Sequence, residues 1–177
     1  MRRLKLYIAA SLDSYIAGPD GEIDWLEAGG NLDYGYQEFY SSIDTTLMGT
    51  ATYKLTLTVD DFPYADKTNY VFTRGIPPPD TAYVRFITGD IAGFVRSLKE
   101  QPGKDIWLVG GGQINRVMLN EGLIDEVILT LFPLVLGEGI PLFAPGAKRA
   151  SFKTVGYERY ATGLVQWRLL RGSGSSG

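Results

Sequence analysis

Residues Ile106–Asn115, Ile-Trp-Leu-Val-Gly-Gly-Gly-Gln-Ile-Asn, decide the fold. An apolar run passes through three glycines into a segment with helical spacing, which predicts a buried strand, a tight turn and a helix. Such a turn presents backbone N–H groups at a helix N-terminus and lets a phosphate approach the backbone closely. It differs from the Rossmann fingerprint, because Asn115 stands where the third glycine would be, and it lacks the Gly-Lys-Ser/Thr of a P-loop. Taken alone, it fits a phosphate site and a packing turn equally well.

Predicted strands and helices alternate on both sides of this stretch. Apolar runs between glycines, prolines and polar clusters predict strands over residues 4–10, 45–48, 69–73, 84–87, 105–109 and 126–135. Helical spacing predicts helices over residues 33–43, from residue 91 to the Pro102-Gly103 pair, and over 113–121. Two final strands, 152–158 and 164–170, read as a hairpin. This order predicts an α/β domain with a mostly parallel twisted sheet and an antiparallel edge.

The helix that begins at Ile91 has the clearest pattern. Ile91, Phe94, Val95 and Leu98 have the i, i+3, i+4, i+7 spacing of an amphipathic helix, and Asp90 is placed to cap its first turn. We find no internal repeat or linker upstream of residue 171, and we therefore expect one domain over 1–171. The composition of residues 172–177, Gly-Ser-Gly-Ser-Ser-Gly, is that of a linker or tag.

The composition restricts the chemistry. The chain has no Cys and no His, which excludes thiolate nucleophiles, Cys-ligated metals and the Ser-His-Asp mechanism. Chemistry must then rest on carboxylates, hydroxyls, Lys or Arg, or on a bound cofactor, and we predict no metal site. The net charge of −3, without a basic cluster, argues against nucleic-acid and membrane partners. No apolar run has the length of a signal or spanning segment, so we expect a cytoplasmic protein.

Two further segments suit an anionic ligand. In residues 45–53, Gly49 ends a strand, and Thr50 and Thr52 offer hydroxyls at the start of the next helix. Arg74 follows the strand predicted over 69–73, at the edge where open α/β sheets bind ligands. Each also has a plain structural interpretation, a threonine cap in the first case and a solvated Arg in the second.

Together these segments resemble the dihydrofolate reductase-like superfamily, especially its branch related to the reductase domain of riboflavin biosynthesis. The resemblance rests on the opening Leu6–Ala17, the Leu-Met-Gly-x-x-Thr-Tyr element, the Val-Gly-Gly-Gly turn, and Gly-Leu-Ile-Asp-Glu followed by Gly-Glu-Gly-Ile-Pro-Leu-Phe. Any one motif is weak, whereas their order and spacing are specific. The resemblance implies a three-layer fold with a sheet of about eight strands and NADPH lying across the C-terminal edges of the strands.

The resemblance also implies a set of cofactor-binding residues at turns and strand ends: Ala10, Ile16, Gly49, Thr50, Thr52, Thr73, Arg74, Val109, Gly110, Gly111, Gly112, Gln113 and Ile114. In this placement Ala10 and Ile16 flank the nicotinamide, and Arg74 lies by the adenosine 2′-phosphate. The sequence departs from the family at Thr50, where a basic residue is frequent. It also departs at Leu108-Val109, where the riboflavin reductases carry a substrate-binding Glu.

No carboxylate aligns with the acid that holds the pterin in dihydrofolate reductases. Our first candidate for a catalytic acid is Asp33, followed by Glu38, although either residue also suits a solvated helix or cap position. Trp25 and Tyr36 are candidates for a stacking pocket around the substrate. Thr130 matches a family position on the substrate side.

We therefore expect an NADPH-dependent reductase that transfers a hydride to a small heterocyclic, pterin-like substrate, with a carboxylic acid or an ordered water as proton donor. One alternative is a riboflavin-pathway reductase of a phosphoribityl pyrimidine, and another is a non-catalytic nucleotide-binding or scaffold protein. The apolar residues of the final hairpin, together with the related riboflavin enzymes, favour a homodimer.

Overall fold

A computed structural model describes residues 1–58 and 62–172 of the chain. Its strands, in chain order, are β1 Leu4–Ser11, β2 Tyr15–Ala17, β3 Ile43–Gly49, β4 Thr68–Phe72, β5 Val84–Ile87, β6 Asp105–Gly110, β7 Glu126–Phe132, β8 Ile140–Pro141, β9 Phe152–Arg159 and β10 Val165–Arg171. Its α-helices are α1 Tyr36–Ser41, α2 Thr50–Thr56, α3 Ile91–Glu100 and α4 Gly112–Asn120. A 3₁₀ helix, Asp24–Gly29, precedes α1.

Eight of these strands form one sheet in the order β5-β4-β3-β6-β1-β7-β10-β9. The pairs from β5 to β7 are parallel, and β10 then pairs antiparallel with both β7 and β9. The short strands β2 and β8 form a separate antiparallel pair. This confirms the predicted class, a mostly parallel central sheet that ends in an antiparallel hairpin.

Layers of helix and loop cover both faces of the sheet. On one face Leu4, Leu6 and Leu108 are fully buried against α3 and α4, which contribute Val95 and Met118. Alternate residues of the same strands point to the opposite face, because side chains in a strand alternate in direction. The ring of Tyr7 there stacks on Phe39 of α1 at 4.4 Å and meets Trp107 edge-on. Truncation of one of these buried leucines to Ala costs about 2–5 kcal/mol of stability.

The predicted element bounds are largely confirmed, and the exceptions have local causes. The helix predicted over 33–43 begins only at Tyr36, because Tyr34 and Gly35 have positive φ values of 52° and 75° that no α-helix accepts. The strand predicted over 126–135 ends at Phe132, since Pro133 has no N–H for the sheet. Asp90 accepts a hydrogen bond from the backbone N–H of Gly93 at 2.9 Å, which confirms its predicted capping role.

The patterns in the sequence did not reveal β2, β8 or the 3₁₀ helix, which are each six residues or fewer. Segments this short carry too few residues to show a period of 2 or 3.6. Among the described residues, no helix is long and apolar enough to cross a membrane.

Candidate functional site

A cleft of about 1670 Å³ lies at the carboxyl ends of the parallel strands. The ends of β3, β4 and β6 form its floor, and the first turns of α2 and α4 rise beside it. The pair β2–β8 closes one side. Ligands of open α/β sheets bind at this edge of the strands.

The glycine turn after β6 forms one wall of the cleft, and its glycines have different surroundings. A Cβ on Gly112 would lie 2.2 Å from the carbonyl oxygen of Pro141, so packing alone requires glycine there. A Cβ on Gly111 would meet only Thr52 Oγ1 at 3.4 Å and Ile16 Cδ1 at 3.8 Å, which are ordinary contacts. The turn is therefore a packing turn at Gly112, while Gly111 leaves room on the cleft side.

The glycine turn also lies close to Gly49, at the junction of β3 and α2. A Cβ on Gly49 would lie 3.1 Å from Cγ1 of Ile114, which brings the start of α2 next to the start of α4. The Thr50 hydroxyl donates to the carbonyl oxygen of Phe72 at 3.1 Å and so ties α2 to the end of β4. Thr50 thus has a structural role, and its hydroxyl proton already has an acceptor.

All of the cofactor-binding residues predicted from the sequence line this cleft except Ala10 and Gly110. Ala10 is 1% exposed because its side chain points to the buried face of the sheet, whereas its neighbour Ala9 lines the cleft. Gly110 is buried, and a Cβ built on it would contact Ile8 and Asn115. Among the other lining residues are two cations that sequence reasoning overlooked, Lys54 and Arg116.

The charges around the cleft are mainly positive. Its charged lining residues are Lys54 of α2, Arg74 after β4, Arg116 of α4 and the single carboxylate Asp20. Arg116 donates to the carbonyl oxygen of Pro145 at 2.8 Å, while Lys54 and Arg74 form no ion pair with a described residue. This excess of cations suits a ligand that carries phosphate groups.

A smaller cavity of about 230 Å³ adjoins the cleft and shares Tyr7, Ala9 and Leu26 with it. Asp33, Tyr36 and Thr130, all predicted as catalytic or substrate-binding residues, line this cavity. The remaining lining is apolar, glycine or aromatic, and Asp33 is the one charged residue among the described lining residues.

Hydrogen bonds organise the polar side of the small cavity. The Tyr7 hydroxyl donates to the carbonyl oxygen of Tyr34 at 3.0 Å. The Gln166 amide donates to the same carbonyl at 3.1 Å and to the Thr130 hydroxyl at 2.9 Å. Burial raises the pKa of Tyr7 and of Tyr36 to about 12, so both hydroxyls keep their protons at neutral pH.

Sequence reasoning overlooked Gln166. Its position could have been found from the hairpin, because Gln166 of β10 lies directly opposite Thr130 of β7 in the antiparallel register. The signal was a polar residue at an inward position of a predicted strand.

The remaining predicted residues lie differently. The Asp33 carboxylate accepts from the backbone N–H of Gln37 at 3.1 Å, so it also caps the start of α1. Glu38 is exposed on α1 and lines neither the cleft nor the small cavity. Trp25 also lines neither, and its ring packs edge-on against Phe132 at 5.0 Å. The structure therefore brings Asp33, but not Glu38 or Trp25, to the small cavity.

These features define a class, the dihydrofolate reductase-like α/β domains. Dihydrofolate reductase from Enterococcus faecalis, in complex with NADP(H) and RAB-propyl, superposes with a TM-score of 0.72, covering 97% of each chain at 14% identity, which is a likeness of fold. Residues 2–166 match the family model of the RibD C-terminal domain, and the chain belongs to that family.

Two relatives are similar over almost their whole length. The uncharacterized Bacillus subtilis protein YwjB is 40% identical over 172 residues, which are 96% of this chain and 98% of YwjB. A crystal structure from Shewanella sp. PV-4, of a protein assigned to riboflavin biosynthesis, has a TM-score of 0.85 and 30% identity, and the match covers 96% of this chain and 99% of that one.

Proposed function

We propose that this chain is an NADPH-dependent reductase of a small heterocyclic, pterin-like substrate. One observation carries the proposal: a large, cation-lined cleft and a small, nearly uncharged aromatic cavity meet at Tyr7, Ala9 and Leu26. A hydride transfer between two ligands requires that their reacting atoms lie side by side, about 3–3.5 Å apart. Two adjoining sites of unlike size and charge suit a dinucleotide next to a small ring.

The size and lining of the cleft support a dinucleotide cofactor. A volume of about 1670 Å³ exceeds the roughly 300–1,000 Å³ of common ligand pockets and gives room for an extended dinucleotide. Gly111 leaves the backbone open to a pyrophosphate, and Thr52 lies across from it. Arg74 and Lys54 would hold the 2′-phosphate in place of the basic residue that Thr50 replaces. The nicotinamide would lie by Ile16, with its reacting carbon toward the residues that both cavities share.

The chain's own residues would hold the reactants and transfer the proton. NADPH, when bound, supplies the hydride. The aromatic walls at Tyr7 and Tyr36 would hold a flat ring and exclude water. Asp33, the carboxyl group at this cavity, would as a carboxylate accept a hydrogen bond from a ring N–H. In its protonated form, with the proton taken up from solvent, it would deliver that proton to the reduced ring, directly or through a water molecule.

The charge of the small cavity bears on the substrate. A phosphoribityl pyrimidine needs cations for its phosphate group, and no Lys or Arg is among the described residues that line this cavity. Leu108 is fully buried in the core, and Val109 offers only an apolar side chain to the cleft. A riboflavin-pathway reductase remains the second candidate, because the family favours it.

The final hairpin supports a homodimer as part of this proposal. Among the residues that the structure describes, strand β9 pairs only with β10, so its other edge has no partner strand there. Tyr157 and Trp167 lie opposite each other on this hairpin and are 74% and 40% exposed. An exposed edge with apolar side chains favours pairing with a second copy. Light scattering should then give a mass near twice 19.5 kDa at micromolar concentration, and a mass near 19.5 kDa would refute the dimer.

The first experiment is a titration of the protein with NADPH and with NADH, in which tryptophan fluorescence is the readout. The indole N–H of Trp107 donates to the carbonyl oxygen of Tyr7, and Tyr7 lines both the cleft and the small cavity. The fluorescence of Trp107 should therefore report binding. Saturable NADPH binding that is tighter than NADH binding is expected, followed by turnover on a panel of pterins, flavins and quinones. Binding without turnover would favour the non-catalytic alternative, and the absence of binding would refute the reductase.

A further inference from the structure

Asp13, in the loop after β1, joins two loops beside the cleft without lining it. Its Oδ1 accepts from the Ser11 hydroxyl at 2.6 Å and from the backbone N–H of Leu136 at 3.1 Å. Its Oδ2 accepts from the backbone N–H of Gly137 at 2.8 Å. One carboxylate thus connects the loop before β2 to the loop before β8.

Backbone hydrogen bonds complete this connection, which we call the Asp13 clasp (residues 11–15 with 134–137). The Ser11 hydroxyl accepts from the backbone N–H of Tyr15 at 2.9 Å, and the Leu12 N–H donates to the carbonyl oxygen of Leu134 at 2.7 Å. These hydrogen bonds hold the chain at the point where it enters β2. The hydrogen bonds from Ser11 and from the two loop amides also lower the pKa of Asp13, so its carboxylate is charged at neutral pH.

The strands that follow the clasp form a wall of the cleft. Tyr15 and Ala17 of β2 pair with Pro141 and Ile140 of β8, and residues of both strands line the cleft. A Cβ on Gly139 would lie 2.2 Å from the carbonyl oxygen of Ala17, so β2 and β8 are in close contact. The carbonyl oxygen of Pro141 in turn packs against Gly112 of the glycine turn. Movement at the clasp would therefore be passed to the wall at Ile16.

We propose that Asp13 is a positioning residue, which holds β2 and β8 against the glycine turn so that Ile16 forms a fixed wall for the nicotinamide half of the cofactor. This inference rests on the proposed NADPH site. It concerns one half of that site, because Arg74 and Lys54 are proposed for the adenosine half, at its 2′-phosphate.

The test uses Asp13→Asn, which replaces one acceptor oxygen by an amide nitrogen that cannot accept from Leu136 or Gly137. Ser11→Ala is a milder second variant, which removes the hydroxyl between Asp13 and Tyr15. Asp80→Asn is the matched control, since Asp80 accepts from the backbone N–H of Phe86 at 3.0 Å in a loop that does not line the cleft. Each variant is titrated with NADPH and with adenosine 2′,5′-bisphosphate, which lacks the nicotinamide half.

Asp13→Asn should weaken NADPH binding about 10-fold, the lower end of the range for hydrogen-bond partners that orient metal ligands. The affinity for adenosine 2′,5′-bisphosphate should stay within twofold of that of the unaltered protein, whereas general unfolding would weaken the binding of both ligands. Backbone amide exchange should rise in residues 12–17 and 134–142 of this variant. Ser11→Ala should also weaken NADPH binding and raise amide exchange, but by less than Asp13→Asn does. Asp80→Asn should change neither NADPH binding nor amide exchange.

The outcomes separate the two proposals. If the unaltered protein binds NADPH and Asp13→Asn binds it equally well, the inference is overturned and the proposed function stands. Equal weakening of both ligands would also overturn the inference, because the effect would then be a general one. If the unaltered protein binds neither ligand, the proposed function fails and the inference fails with it.

Discussion

Gly111 lies next to Thr52 in the lining of the cleft, where a Cβ built on Gly111 would lie 3.4 Å from the Thr52 hydroxyl oxygen. That contact is of ordinary van der Waals length, so the folded chain tolerates a methyl group there. The adjacent Gly112 tolerates none, because its Cβ would overlap the Pro141 carbonyl oxygen at 2.2 Å. The fold therefore requires glycine at position 112 and does not require it at position 111.

The first prediction uses this pair. Gly111→Ala should place a methyl group between Thr52 and Ile16, where the pyrophosphate would pass, and should weaken NADPH binding by at least about 1.4 kcal/mol, which is tenfold. Its melting temperature should change little. Gly112→Ala should instead lower the melting temperature by several degrees, as an overpacked site costs about 1–3 kcal/mol. Calorimetry measures the melting temperature, and fluorescence titration measures the NADPH affinity. An unchanged NADPH affinity in Gly111→Ala would argue against a phosphate site at this turn.

The second prediction concerns the 2′-phosphate. Arg74→Ala should weaken NADPH binding by about 1.5–3 kcal/mol, the worth of a hydrogen bond to a charged group, and should leave NADH binding unchanged. Lys54→Ala should act in the same direction. Arg96→Ala is the control, since Arg96 pairs with Glu121 away from the cleft. An equal loss for both dinucleotides would mean that Arg74 contacts another part of the cofactor.

The third prediction concerns alkaline pH. Burial raises the pKa of Tyr7, Tyr36 and Tyr64 to about 12 in the folded chain, from 10.0 for an exposed Tyr. A raised pKa contributes stability that is complete below pH 10 and is lost as the pH rises toward 12. Denaturant unfolding should therefore show a decline in stability between these values, with tyrosinate absorbance appearing as the chain unfolds. Tyr7→Phe should reduce that decline, and early titration of all tyrosines near pH 10 would contradict it.

The sequence predicted most of the sheet because its strands are apolar on both faces and are bounded by Gly, Pro and polar residues. Its motifs also place most of the predicted cofactor residues at one edge, since parallel strands end together there. The small cavity was harder to predict. Thr130 and Gln166 meet only because β10 returns antiparallel beside β7, which a local pattern does not show. Lys54 and the Asp13 clasp were likewise overlooked, because each depends on which loops lie together.

The last prediction assigns the acid of the small cavity. Asp33→Asn should lower kcat by about 10²-fold or more, the usual effect of losing a general acid, and should change NADPH affinity little because Asp33 does not line the large cleft. Asn can still accept from the backbone N–H of Gln37, so the cap on α1 should survive and the melting temperature should change little. Glu38→Gln is the matched control, five residues along and exposed on α1, and should leave kcat unchanged. Stopped-flow measurement of NADPH oxidation would check this, because it follows the chemical step apart from cofactor binding. If Asp33→Asn retained full activity, the proton would come from an ordered water instead.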